Sequence, residues 1–80
     1  MALVRNLSPR DIAYPKKHRE VEATCSIVMA EGEKLLQIDT YGSADRAIPG
    51  KVSQSLQFDR QGAEELAKLL QQILDGQEEG

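Results

Sequence analysis

The residue types that most often do chemistry in proteins are scarce in this chain, which has one histidine, His18, and one cysteine, Cys25. His18 lies in a charged run, whereas Cys25 occupies a core-facing position in a predicted strand, where a small apolar side chain is expected. A Cys–His nucleophilic pair is therefore not expected. We predict that the chain is not an enzyme and has no catalytic residue.

Two further groups of residues have the types of a ligand site but not its spacing. The acidic residues near predicted turns are Glu31, Glu33, Asp39 and Asp45. They lack the spacing of an EF-hand loop, so we expect them to be solvated. The segment Gly50-Lys51-Val52-Ser53 is similar to the end of a P-loop, but Asp45 replaces the first glycine and the serine lies one residue late, before a strand. No metal and no cofactor is predicted.

Positive charge is concentrated in residues 1–20, here called the basic arm. The arm carries five basic and two acidic residues, although the whole chain has 10 basic and 13 acidic residues and a net charge of -3. Lys16, Lys17 and Arg19 form the densest cluster, which is typical of a contact to a nucleic-acid backbone. A solvated arm without a ligand is the alternative interpretation.

The element that must position these residues is a strand that leads directly into an amphipathic helix. Residues 51–58 alternate in polarity, and Asp59 then offers its carboxylate as an N-cap. After Asp59, apolar residues recur at spacings of three and four, which predicts a helix over about residues 60–75. The tail, residues 76–80, is acidic and predicted to be disordered.

Two more strands precede this unit. Residues 21–29 alternate in polarity, a turn is predicted at residues 30–33, and a second strand follows at residues 34–41, so the two should form a hairpin. A long loop, residues 42–51, leads to the third strand. The predicted fold is α+β: an antiparallel β-β-β-α domain at residues 21–75, with three to four strands backed by the C-terminal helix.

Residues 1–14 leave two alternatives open. Ser8, Pro9 and Asp11 have the pattern of a helix start, which Pro15 would limit to one or two turns. Residues 1–14 could instead supply a fourth strand, or the dimer could supply it.

The predicted strand faces assign a core and an exposed side. The predicted inner sheet surface consists of Ala23, Cys25, Ile27, Met29, Leu36, Ile38, Val52, Leu56 and Phe58, covered by Ala63, Leu66, Leu70 and Ile73. The opposite side carries Thr24, Ser26, Gln37, Tyr41, Ser53, Ser55 and Gln57, with Arg46 and Lys51 at its margin. Hydrogen-bonding side chains, one aromatic ring and a basic rim are features of single-stranded nucleic-acid binding. Asp39 and Glu22 on the same side would repel phosphates, and an ordinary solvated sheet face is the alternative interpretation.

The order of these elements resembles the single-stranded-DNA-binding regulator superfamily, which includes the positive-cofactor-four coactivators, the PUR domains and the Whirly proteins. Residues 33–41 resemble the central strand of that superfamily, and residues 51–74 resemble its last strand and helix. The resemblance covers about residues 21–75. It implies a curved antiparallel sheet backed by a helix, dimerisation through helices and sheet edges, and binding of single-stranded DNA or RNA across the exposed strands.

Two functional hypotheses follow from these observations. The first is a nucleic-acid-binding module of low sequence specificity, with contacts from Lys16, Lys17, Arg19, Tyr41, Arg46 and Lys51. The second is a protein-interaction or accessory subunit that does not bind nucleic acid. Because 80 residues bury a small core, a homodimer is expected. No run is long enough for a membrane span or a signal peptide, which predicts a cytoplasmic protein.

Overall fold

The computed structural model describes residues 1–42 and 51–76, which form a four-stranded sheet and one helix. In chain order the elements are β1 (Ala2–Val4), β2 (Glu22–Ala30), β3 (Glu33–Tyr41), β4 (Val52–Phe58) and α1 (Arg60–Gly76). The strands are arranged in the order β1-β4-β3-β2. The α+β class, the three antiparallel strands and the C-terminal helix predicted from the sequence are confirmed.

The N-terminal residues form a strand and no helical turn. β1 pairs parallel with β4, with Val4 opposite Phe58, so the sheet is mixed and not purely antiparallel. The helix start predicted at Ser8 is wrong, because the chain from Arg5 to Val21 contains neither helix nor strand. The capping pattern at Ser8 is not followed by an apolar stripe, and most helical stability comes from packing such a stripe.

The hairpin turn is two residues long and has an unusual first residue. Glu31 has φ 50° and Gly32 has φ 81°. Positive φ at both central positions is the geometry of a type I′ turn, whose twist matches that of the flanking strands. Glycine adopts this conformation without steric cost, whereas glutamate does not. The register across the hairpin is continuous, from Ala30 opposite Glu33 to Glu22 opposite Tyr41.

The junction between β4 and α1 forms as the sequence predicts. The Gly62 N–H donates to Asp59 Oδ1 at 2.9 Å, and the Ala63 N–H donates to the Asp59 carbonyl oxygen at 2.8 Å. Asp59 is therefore the N-cap of α1. Its backbone N–H also donates to the Val4 carbonyl oxygen at 3.4 Å, which links the helix start to β1.

An ion-pair node holds the N-terminal segment at the same end of the sheet. The Arg5 guanidinium lies 2.8 Å from a Glu33 carboxylate oxygen and 2.9 Å from Asp59 Oδ2. The hydrogen bond from Arg5 lowers the pKa of Glu33. The pKa of Asp59 is lowered mainly by the Gly62 N–H and further by Arg5, and the two carboxylates raise the pKa of Arg5.

The strand pairing sorts the sheet residues onto two faces. One face carries most of the apolar side chains and is here called the apolar face: Ala23, Cys25, Ile27, Met29, Leu36, Ile38, Leu56 and Phe58, together with Lys34, Thr40 and Gln54. The polar face consists of Glu22, Thr24, Ser26, Gln37, Asp39, Tyr41, Ser55 and Gln57, with Val28 and Leu35 at the hairpin end.

The observed core is much smaller than the predicted one. In the part of the chain that the structure describes, Leu35 and Phe58 are the buried hydrophobic residues, at 4% and 6% exposure. Ile27 and Met29, predicted as core, are 64% and 69% exposed, and Cys25 is exposed as well. The helix contacts β3 and β4 with its first half, while its second half, including Leu70 and Ile73, is exposed. The sequence predicted that α1 would cover the apolar face, and it leaves most of that face open.

A β-bulge changes the face on which β4 begins. Thr40 lies opposite Gln54, but the next residue, Tyr41, lies opposite Val52, so Ser53 is the extra residue. An extra residue reverses the alternation of a strand beyond it. Val52, predicted on the inner surface, consequently lies on the same side as Tyr41.

Candidate functional site

The polar face carries a chain of hydrogen bonds between side chains of β3 and β4. Gln57 Nε2 donates to Gln37 Oε1 at 2.9 Å, and Gln37 Nε2 donates to the two carboxylate oxygens of Asp39 at 3.1 and 3.2 Å. The alternation of both strands places these three side chains on one face, and direct pairing sets Gln37 opposite Gln57. All three are half-buried, so they keep access to solvent while their orientations are fixed.

A shallow cavity of about 250 Å³ opens beside this chain. Its wall is formed by Met1, Ala2, Gln37, Asp39, Val52, Ser55 and Gln57. Met1 and Ala2 reach it because β1 pairs with β4, and Val52 reaches it because of the bulge. The cavity therefore combines apolar walls with carboxylate, amide and hydroxyl groups.

Tyr41 is oriented by a hydrogen bond across the hairpin. Its hydroxyl lies 3.0 Å from Thr24 Oγ1, and the ring is half-buried at the end of β3. The bond fixes the outer end of the side chain, and the neighbouring strands fix its inner end. An aromatic ring held in this way on a polar face offers a preorganised surface for stacking.

Two of the six residues predicted to contact nucleic acid, Tyr41 and Lys51, lie at one end of the sheet, and Arg19 lies close to that end along the chain. Tyr41 lies opposite Glu22 on one side and Val52 on the other, so Lys51 immediately precedes this row. Arg19 is three residues before Glu22, within about 11 Å along the chain, and Lys16 and Lys17 precede it. Lys16, Lys17, Arg19 and Lys51 are all exposed. Arg46 lies outside the described residues.

Negative charge is present on the same face. Asp39 stands half-buried near its centre and Glu22 stands exposed at its end. Carboxylates at these positions repel phosphates, whereas the exposed cations lie at the margin. The electrostatic pattern is thus a basic margin beside a face rich in hydrogen-bond acceptors.

The groups with a shifted pKa lie at the other end of the sheet. Among the described residues these groups are Arg5, Glu33 and Asp59, which form the ion-pair node at the start of α1. Shifted pKa values often mark catalytic sites, but ion-pair networks produce them as well. Here each shift is explained by a structural contact.

Sequence reasoning did not identify Gln37, Asp39 and Gln57 as site residues, although it placed all three on this side of the sheet. The sequence indicated their shared position because polar residues alternate along two predicted neighbouring strands and fall on the same side of the sheet in both. The contribution of Met1 and Ala2 could not be inferred, because it depends on a parallel pairing of residues more than fifty positions apart.

Within residues 1–42 and 51–76, no group of three or more His, Cys, Asp and Glu side chains is arranged to hold a metal ion. No helix in this part of the chain is long and apolar enough to cross a membrane.

Comparison with known proteins gives no relative from which a function could be carried over. No protein-family model matches the chain, and neither a curated protein nor a solved structure matches it.

Proposed function

We propose that this protein is a non-catalytic module that binds single-stranded DNA or RNA in the cytoplasm with low sequence specificity. The observation that supports this function best is that Tyr41 and Lys51 lie in register at the end of the polar face where the basic arm leads into β2. Single-strand binding requires a cationic path for the backbone and an aromatic platform for the bases. The resemblance to the single-stranded-DNA-binding regulators agrees with this proposal.

The distribution of charge indicates how a strand would lie. Asp39 and Glu22 disfavour phosphates on the polar face, so the sugar-phosphate backbone would follow the margin formed by Lys51 and the basic arm. The bases would then point inward, with one base stacked on Tyr41. Unpaired bases carry hydrogen-bond donors on their Watson–Crick edges, and the acceptors of Asp39 and Gln57 could receive them.

The direct test is fluorescence anisotropy of labelled single-stranded and double-stranded oligonucleotides, titrated with the protein between about 50 and 200 mM salt. We expect preferential binding to single strands, with log K falling by about 0.7 for each phosphate contact per unit of log salt concentration. Absence of binding at the lowest salt concentration, where electrostatic attraction is strongest, would refute the proposed function.

A matched pair of charge reversals localises the contact. Lys51→Glu removes a cation at the proposed margin, whereas Lys34→Glu reverses an equally exposed cation at the hairpin end of the sheet. We expect Lys51→Glu, and the double variant Lys16→Glu with Lys17→Glu, to weaken binding and lower the salt slope. Lys34→Glu should change neither. Equal effects of Lys51→Glu and Lys34→Glu would mean that only net charge matters.

The contribution of the ring is tested separately from that of its hydroxyl. Tyr41→Phe keeps the ring and loses the hydrogen bond to Thr24, whereas Tyr41→Leu loses the ring. Loss of one stacked base costs about 1–3 kcal/mol, which is roughly a 5- to 150-fold weaker Kd for Tyr41→Leu. Tyr41→Phe should bind within a few-fold of the natural protein.

The second hypothesis, a protein-interaction subunit without nucleic-acid binding, is supported by a different observation. Ile27, Met29 and Leu56 are exposed on the apolar face, and Ile73 and Leu74 are exposed on α1. Exposed apolar surface of this kind is typical of interaction sites. This hypothesis predicts no affinity for oligonucleotides at any salt concentration, so the anisotropy titration separates the two.

A further inference from the structure

The two edges of the sheet differ in how well they are protected. β1 forms one edge and is three residues long, whereas β2 forms the other and is nine residues long. In an antiparallel pair, about half of the residues of an edge strand direct their N–H and C=O groups away from the neighbouring strand. β2 therefore presents a row of backbone donors and acceptors that no other described strand pairs.

β2 lacks the features that usually prevent edge pairing. Its sequence, Glu22 to Ala30, contains no proline and no lysine, and its register with β3 has no bulge. Glu22, at the very start, is its one charged residue, while Ile27 and Met29 are largely exposed beside the open edge. A long, regular and apolar edge of this kind pairs with another strand unless something covers it.

We propose that β2 pairs antiparallel with β2 of a second copy of this chain, so that the two sheets form one continuous eight-stranded sheet. The proposal does not depend on nucleic-acid binding. A second copy is favoured over a different partner because β2 is complementary to itself. Antiparallel pairing about a two-fold axis at Ser26 aligns all nine residues of both strands and keeps the apolar faces of the two sheets on the same side.

Each cross-strand pair in this register is compatible. On the apolar face, Cys25 lies opposite Ile27 of the partner subunit, and Ala23 lies opposite Met29 of the partner subunit. On the polar face, Glu22 lies opposite Ala30 of the partner subunit, so the two acidic residues are at opposite ends of the interface. Apolar pairs stabilise a sheet, and no like charges face each other.

The small core supplies the thermodynamic reason for pairing. Two hydrophobic residues are buried among the described residues, and a domain of this size is marginal even with a complete core. Pairing adds backbone hydrogen bonds and covers apolar surface at Ile27 and Met29.

The first test is the mass in solution, measured by light scattering coupled to gel filtration. The natural protein should have twice the monomer mass of 8.9 kDa. Ile27→Lys places a charge at the edge, diagonal to its own copy across the axis, and should give a monomer with unchanged strand content by circular dichroism. Ile73→Lys introduces the same charge on α1 at a similar exposure, 62% against 64%, and should remain a dimer.

A cross-linking test gives the register and remains informative if Ile27→Lys fails to fold. In a Cys25→Ser background, Ser26→Cys would place two thiols directly opposite each other, with Cα atoms about 4.5–5.5 Å apart, which suits a disulfide. Thr24→Cys in the same background places them several residues apart and should not cross-link. We expect disulfide dimers for Ser26→Cys alone under mild oxidation.

Three outcomes would overturn the proposal. A natural protein that is monomeric would remove it entirely. A dimer that survives Ile27→Lys but is lost in Ile73→Lys would assign the interface to the exposed end of α1. Equal cross-linking of the Thr24→Cys and Ser26→Cys variants would exclude the symmetric β2 pairing.

Discussion

Gly62, in the first turn of α1, is a position where the usual effect of a glycine-to-alanine substitution should be reversed. In most helices this substitution stabilises the protein by up to about 1 kcal/mol. At Gly62 an added Cβ would lie 2.4 Å from the Val4 carbonyl oxygen and 3.3 Å from its carbon. The distance between the added Cβ and the Val4 carbonyl oxygen would have to increase to at least 3.0 Å, and this oxygen is a backbone atom.

The magnitude follows from two opposing contributions. Inserting a methyl group into a closely packed position costs about 1–3 kcal/mol, and the gain in helix propensity offsets up to about 1 kcal/mol of this cost. We therefore expect Gly62→Ala to lower the free energy of unfolding by about 1 kcal/mol, and Tm by roughly 4–8 °C for a domain of this size. Thermal unfolding followed by circular dichroism at one fixed protein concentration measures the change.

Two controls separate the clash from helix propensity. At the neighbouring exposed Gln61, the alanine variant should be more stable than the glycine variant by up to about 1 kcal/mol. In a chain shortened to begin at Arg5, the obstructing carbonyl is absent, so Gly62→Ala should become stabilising. An increase in Tm for Gly62→Ala in the full chain, equal to the difference measured at Gln61, would refute the inferred close approach of β1 and α1.

Three further predictions concern the core, the turn and the ion-pair node. Leu35→Ala should lower the free energy of unfolding by about 2–5 kcal/mol in urea titrations, because Leu35 is the most buried hydrophobic residue of the described chain; a loss below about 1 kcal/mol would mean that Leu35 is not closely packed. Gly32→Ala should lower the free energy of unfolding by about 1–2 kcal/mol because of the φ of 81° alone, since an added Cβ meets no atom within 4 Å. An unchanged Tm would contradict the left-handed turn. The lowered pKa values of Asp59 and Glu33 mean that the folded state holds these protons less tightly than the unfolded state. Stability should therefore fall as pH decreases through their ordinary values of 3.8 and 4.5 and below, and Arg5→Gln should flatten this dependence; an unchanged pH profile in that variant would refute the role of the node.

The sequence predicts the elements well because each is encoded by local periodicity. The alternation in residues 21–29 and 34–41 corresponds to β2 and β3, and the N-cap at Asp59 gives the start of α1. The predicted helix, residues 60–75, ends one residue before the observed end of α1 at Gly76. These features depend on neighbours along the chain, which a single sequence contains.

The packing of these elements could not be read from the same patterns. An apolar stripe shows that a surface requires a partner but does not identify the partner. The prediction that Ile27 and Ile73 belong to one internal core is therefore wrong. The predicted inner sheet surface does not include Leu35, yet Leu35 is the most buried hydrophobic residue of the described chain. The bulge at Ser53 also has no local pattern, and it alone moved Val52 to the other face.

Some features of the candidate site could be predicted from local sequence patterns, and others could not. Tyr41 and Lys51 lie in register because strand order and hairpin pairing dictate it, and both could be anticipated from the predicted elements. The cavity beside Gln37 could not, because its wall includes Met1 and Ala2 from a strand that pairs only in the folded chain.

The strand order tethers the basic arm at both ends, which distinguishes it from a free N-terminal tail. Residues 5–21, which include most of the basic arm, connect β1 and β2, which lie at opposite edges of the sheet and run in the same direction. The connection must therefore cross three strand spacings, about 14 Å, and return to the other end of the sheet. A segment tethered at both ends searches a smaller volume than a free tail, so ordering it costs less chain entropy. Cleavage within residues 5–21 would remove this restriction and leave β1 held to the domain by its three parallel pairs, the hydrogen bond from Asp59 to Val4 and the contacts of Arg5.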